Sequence, residues 1–218
     1  MATQVSASGN SASGSLRERR LTRRGADTRE RILEATVTCI VRRGFAAMTV
    51  ENVMAESGIS RGSVLHQFPN RIALAEATFR RTLETVIRDG RRLALAIDDP
   101  FERLAGYSQI VWDSHSTPDG LALSEILQAA RWDRELAAAI EPVTRLAEQE
   151  VAVELTELAV RAGISEPEAM IARGWLLVAS ARGLILEGGL HADRPVILAA
   201  VAEMQRSHRR FCERMRRI

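Results

Sequence analysis

Lysine is missing from this 218-residue chain, and all 30 of its basic residues are arginine. The acidic part of the chain is as lysine-free as the basic part, which points to codon bias before any special use of arginine. Cysteine is limited to Cys39 and Cys212. They lie far apart, so neither a disulfide framework nor a zinc site follows from them, and both read as buried thiols. Histidine occurs four times, with no paired metal ligands, no nucleophile–base spacing and no phosphate loop. No catalytic residue, metal or cofactor is therefore expected, and the chain is not read as an enzyme. No apolar run reaches the roughly 18 residues that span a bilayer, and the first fifteen residues lack the apolar core of a signal peptide. These features suggest a cytoplasmic protein without a membrane partner. Aromatics make up only 4% and there are six prolines. What remains is dominated by Ala, Leu, Arg and Glu, which favours helix almost everywhere.

The net charge of +2 is unevenly spread. Residues 1–75 hold 11 Arg against 6 acidic residues, and residues 76–218 hold 19 against 22. A basic front on an acidic remainder implies a polyanion partner for the front alone. Residues 1–15 are rich in Ser, Gly and Ala and read as disordered. Residues 16–25 add five arginines, either as an arm for a DNA backbone or minor groove or as a solvated tail.

Asp27-Thr28-Arg29-Glu30 has the spacing of a capping box and predicts the first helix start. Ile32, Leu33, Thr36, Val37, Ile40 and Val41 continue it as one stripe, and Gly44 ends it. Thr49 caps a second helix carrying Val53 and Met54. Ser57-Gly58-Ile59 makes a tight turn. Ser60 caps a short third helix through Gln67, and Phe68-Pro69 ends it. Asn70 opens a fourth that runs to about Ala96. Further helices are expected over 100–115, over 121–131 after a turn at Thr117-Pro118-Asp119-Gly120, over 133–162 with Pro142 as a kink or break, and over 166–187. The last starts at an Asp193 cap with Pro195 in its first turn and runs nearly to Ile218. There is no strand signal and no internal repeat.

Two short helices joined at Gly58 and braced by a first helix form the sequence pattern of a helix-turn-helix. The third helix begins with small polar residues and free backbone N–H groups at its positive end. A major groove admits one such helix, whose first residues reach base edges. The run Thr28-Arg29, Ile32-Leu33-Glu34-Ala35, Arg43-Gly44-Phe45, Met48-Thr49-Val50, Val53-Met54, Ser57 through Arg71 and Leu74 resembles the DNA-binding domain of the TetR family of regulators. The resemblance spans about residues 26–86. It departs at Leu65, where the family often has Tyr, at Met54 for Ala, at Ile72 for an acidic residue, and at Arg71 for Lys.

The resemblance implies an all-α subunit: an N-terminal three-helix DNA-binding domain (26–86) behind a basic arm (1–25), and a larger C-terminal helical domain (87–218) that binds an effector and dimerises, about nine helices in all. It implies phosphate contacts from Thr49 and Arg71, and groove contacts from Ser60, Arg61, Gly62, Ser63 and Val64. His66 and Gln67 would touch backbone or bases beside the Asn70 cap. The implied partners are a palindromic double-stranded operator, a second copy of the chain, and a small-molecule effector that releases a repressor from DNA.

Tyr107, Trp112, His115, Trp132 and Trp175 are candidates for an effector pocket, which is typically apolar with a few polar groups; packing is the competing role for each. His191 and His208 read as exposed. Trp175, Ala179, Gly183 and Leu186, with Leu176, form one face. Ile197, Val201, Met204, His208 and Phe211, with Ala200 and Met215, repeat at three and four. Paired with a symmetry mate these faces would make a four-helix contact; alone they would bury within the subunit. Arg209, Arg210, Arg214, Arg216 and Arg217 suit the end of the last helix. The alternative to the effector-responsive regulator is an all-helical DNA-binding protein with no effector.

Overall fold

The computed structural model describes residues 10–190 and 194–216, with side chains from residue 24 onward. The expectations for residues 1–9, His191, Asp193, Arg217 and Ile218 lie outside the described residues, as do the arginine side chains of residues 16–23. Among the described residues the chain forms ten α-helices, one 3-10 turn and a single bridge between Ile164 and Arg216. It divides after Leu74 into two compact units, ahead of the expected boundary at 86.

The first unit contains α1 (Asn10–Arg43), the 3-10 turn Phe45–Ala47, α2 (Val50–Ser57), α3 (Arg61–Gln67) and the start of α4 (Arg71–Leu95). α1 does not begin at Asp27. The helix is already formed at Asn10, so the disordered arm expected through residue 25 is helical from there on. Extending an existing helix adds one hydrogen bond per residue fixed, whereas a new start must be nucleated. Thr28 donates to the Arg24 carbonyl at 2.8 Å, as a hydroxyl inside a helix does. Gly44 then adopts φ 78°, a left-handed conformation that costs glycine little, and ends the helix. Ile32, Ile40, Met48, Val53, Val64, Phe68 and Leu74 are buried as the core of this unit.

The second unit holds the rest of α4, then α5 (Pro100–Ala105), α6 (Tyr107–His115), α7 (Pro118–Ala130), α8 (Arg134–Arg161), α9 (Ala169–Gly188) and α10 (Pro195–Met215). The single helix expected over 100–115 is two, separated at Gly106. The turn expected at Thr117–Gly120 is instead the first turn of α7: Thr117 caps it by accepting from the Gly120 N–H, and Pro118 occupies the first helical position. Pro142 does not divide α8. α9 is long and apolar enough, by length and composition, to cross a membrane, against the expectation that no segment is. It carries Arg173 and Arg182 within that length, each of which would cost about 3 kcal/mol near a bilayer centre.

His208 is neither exposed nor available to a second copy. It is fully buried, and its Nε2 bonds the Leu104 carbonyl at 2.8 Å. That carbonyl lies in the last turn of α5, where besides the histidine only the Gly106 cap N–H is directed at it. Cys212 sits 3.6 Å from the same ring nitrogen, its thiol pushed up to about 11 by burial. The surrounding core includes Phe101, Leu104, Leu158, Ala159, Ile164 and Met170.

Burial pushes His208 and His115 down to about 4, whereas an unfolded histidine takes its proton near 6.5. Between these values the unfolded state binds more protons, so stability falls as pH drops from about 6.5 toward 4, by up to about 1.4 kcal/mol per unit and group. Urea midpoints measured from pH 8 to 4 should be flat above 7 and decline below 6.5. The decline should be shallower in His208→Gln. A midpoint that holds steady down to pH 4.5 would contradict the neutral, buried imidazoles.

Candidate nucleic-acid interface

α2 and α3 are short, and their caps are set by side chains one residue outside each. Thr49 accepts from the Asn52 N–H at 3.2 Å. Ser60 accepts from the Ser63 N–H at 3.3 Å, and its Oγ lies 3.0 Å from Ser63 Oγ. Asn70 does the same for α4, accepting from the Ala73 N–H at 2.8 Å. Between α2 and α3, Gly58 turns at φ 67° and its N–H returns to the Met54 carbonyl.

These caps leave Ser60, Arg61, Gly62, Ser63 and His66 exposed on the outer side of α3. Val64 does not join them. It is fully buried, so the expectation that it meets a groove is corrected: the one β-branched side chain of α3 anchors the helix to the core. Leu65 is exposed in its place. Gln67 is half-buried and faces α1, its Nε2 donating to the Gly25 carbonyl at 3.5 Å. Arg29 stacks on Phe68, 4.4 Å from the ring centroid, and Arg31 donates to the Ser57 carbonyl at 3.0 Å. A shallow cleft of about 360 Å³ between α1 and α3 is lined by Arg24, Thr28, Gly62, Ser63 and His66 among others.

Two arginines do more than the sequence suggests. Arg61 is held by Glu51 of α2, an acidic partner that nothing in the sequence pattern announces, and this bond keeps the Glu51 carboxyl below its ordinary value. Arg71 donates from Nε to the Met48 carbonyl at 3.1 Å and from Nη2 to the Phe45 carbonyl at 3.2 Å. It also lies over the Phe45 ring at 4.6 Å. Arg71, an exposed residue, thus ties the start of α4 to the 3-10 turn.

The second unit encloses a cavity of about 350 Å³. Of the candidates from sequence, Tyr107, His115 and Trp175 line it; Trp112 and Trp132 do not. Trp132 lies just past the end of α7 and is 85% exposed. Burial pushes the Tyr107 phenol up to about 12, with Glu154 adding to it. His115 is kept neutral first by burial and then by the positive charge of Arg182. Its Nδ1 donates to the Val111 carbonyl at 2.9 Å, which leaves Nε2 as an acceptor. Arg91 on the same wall is paired with Glu150 and Glu154. The arginines and glutamates of this wall are not among the residues that the sequence singles out.

Residues 32–78 match the family model described as bacterial regulatory proteins, tetR family. Over these residues the chain is similar to the DNA-binding domain of the TetR family. The uncharacterized HTH-type transcriptional regulator YfiR of Bacillus subtilis is 39% identical over 74 residues, 34% of each chain. The chain thus matches about a third of the length of its curated relatives. Likeness of fold extends further. A TetR-family transcriptional regulator from Cytophaga hutchinsonii superposes with a TM-score of 0.68 at 19% identity, covering 85% of this chain and 94% of that one. A regulator from Saccharomonospora viridis, solved in complex with choline, gives 0.63 at 17% identity, covering 86% and 96%. The chain thus carries a TetR-like helix-turn-helix, and its all-helical fold is also found in solved regulators.

Proposed function

We propose that the chain is a homodimeric transcription regulator that binds a palindromic operator through α3 and is released as a repressor when a small molecule enters the C-terminal cavity. The observation that carries this reading is the outward face of α3. Ser60, Arg61, Gly62 and Ser63 are exposed at a helix start while Val64 and Phe68 anchor the same helix from below. Thr49, His66, Gln67, Asn70 and Arg71 would position that helix on the duplex. Small side chains let it approach base edges, and free N–H groups with the helix dipole favour phosphate.

The self-association surface would be the outer side of α9 and α10. Trp175, Leu176, Ala179, Gly183 and Leu186 are exposed there, with Ile197 and Met204 half-buried alongside. Val201, His208 and Phe211 drop out of the surface expected from sequence. The first two are buried in their own subunit, and Phe211 packs on its core beneath Arg173. A largely apolar cavity in the second unit supports an effector over the effector-free alternative. The choline bound by the Saccharomonospora viridis regulator lends the same support.

Genomic DNA selection with the full chain should recover a palindromic site. On that site Arg71→Ala should weaken binding about tenfold and lower the slope of log K against log salt by about 0.9 for each phosphate no longer neutralised. An unchanged slope would refute a phosphate role for Arg71. A thermal melt of the variant separates that effect from the removal of its bonds to Phe45 and Met48.

A further inference from the structure

One charge in the C-terminal cavity has no answer within the fold. Arg182 of α9 lines the wall, and its Nε is fully buried with no hydrogen-bond partner. The other arginines there are engaged. Glu150 and Glu154 hold Arg91, Arg103 donates to the Ile97 carbonyl at 2.8 Å, and Arg161 donates to the Glu157 carbonyl at 3.4 Å. A guanidinium keeps its proton in a protein and presents five donors in a planar fork. Leaving a guanidinium nitrogen buried and unpaired is unfavourable, and a carboxylate is the group that matches the fork. Most of the remaining wall is apolar, with Val86, Ile110, Leu155, Leu158 and Val178.

We propose that the cavity takes an organic acid, whose carboxylate is bound by Arg182 and whose apolar body fills the space between α4, α6, α8 and α9. This rests on reading the cavity as the effector site and names the chemical class of that effector. The cavity of about 350 Å³ lies at the small end of ligand pockets, which run from about 300 to 1,000 Å³. A cation would meet the positive field of Arg182, which already helps to keep His115 neutral. Glu154 gives a cation little in return, being committed to Arg91. The site thus differs in charge preference from one that holds choline.

The test is calorimetric titration of the full chain with three head groups on two apolar bodies: carboxylate, amide and ammonium on an octyl chain and on a naphthyl ring. At least one carboxylate should bind about tenfold or more tighter than its amide and ammonium analogues, as expected of a hydrogen-bonded charge. Arg182→Gln should erase that preference, and Arg182→Lys should keep most of it. Without ligand, Arg182→Gln should melt no lower than the parent, because it removes a charged group whose buried Nε has no partner. If that variant does not fold, Arg182→Lys and the head-group comparison in the parent protein decide. Equal binding of the three heads, no binding of either carboxylate, or a carboxylate preference that survives Arg182→Gln would overturn the assignment. Release of the selected operator separates the two readings. An ammonium compound that binds and releases DNA sinks the organic acid but keeps the regulator. A carboxylate that binds with no effect on DNA keeps the anion site and sinks its role as effector.

Discussion

Gly120→Ala should destabilise the C-terminal unit by about 3 kcal/mol, at the upper end of what overpacking one methyl group costs. A Cβ at position 120 would lie 2.2 Å from the His115 carbonyl oxygen and 2.6 Å from the His115 carbonyl carbon and Cα. All three atoms are backbone, so no rotamer change can relieve the overlap. The stretch of chain between α6 and α7 must shift, and with it the Thr117 cap and the His115 ring on the cavity wall. Gly174 is the matched control. The one close approach of its added Cβ would be to Leu155 Cδ1 at 2.6 Å, the end of a flexible side chain, with Tyr107 Cε1 at an ordinary 3.9 Å, so Gly174→Ala should cost clearly less. Urea unfolding of the full chain measures both. At about 2–4 °C per kcal/mol for a protein of this size, the Gly120 variant should also melt roughly 6–12 °C lower. A Gly120→Ala stability within about 0.5 kcal/mol of the parent, a size ordinary for neutral surface changes, would mean that α6 and α7 are not in that close contact.

What the sequence discloses about this molecule follows from the range of the forces involved. Caps at Thr49, Ser60, Asn70, Thr117 and Asp133 are each a side-chain oxygen meeting an N–H two or three residues on. Such bonds are written locally, so the second and third helices and the turn at Gly58 are legible. Local signals can still mislead. Thr117 reads as part of a turn and the box at Asp27 as a helix start, because a local signal competes with the cheap extension of a neighbouring helix. In a seven-residue helix, periodicity is too short to say whether Val64 or Leu65 turns inward. The pairing of Val64 with a core built from α1 and α2 decides it, and that is a long-range fact. His208 shows the same limit. Its partner, the Leu104 carbonyl, is 104 residues away, and nothing near position 208 announces it. Trp132 misleads in the opposite sense: its size suggests burial, yet it stands at the surface beside Arg131. Arg182 is the signal most easily passed over. It is one charge inside the otherwise apolar stretch Trp175–Leu186, which marks either a surface position or a buried site with something to bind.

Changing Gly62 to glutamate should separate folding from DNA binding. The first half of that expectation is a gain. Gly62 occupies the second position of α3, is exposed, and has no atom within 4 Å of an added Cβ. Replacing glycine inside a helix contributes about 0.5–1 kcal/mol. A carboxylate in the first turn adds about 0.3–1 kcal/mol through the dipole. Gly62→Glu should therefore melt no lower than the parent. The second half is a loss. The same position lies in the cleft with Arg24, Thr28, Ser63 and His66, on the face that would enter the major groove. A carboxylate there would meet phosphates and base edges at close range, and like charges brought together cost several kcal/mol. At about 1.4 kcal/mol per tenfold, an operator affinity about 100-fold or more below the parent is expected, with effector binding in the second unit retained. Thermal melting and titration of the selected operator read the two halves independently. If the variant is at least as stable as the parent and still binds that operator within threefold, α3 does not present its amino end to DNA.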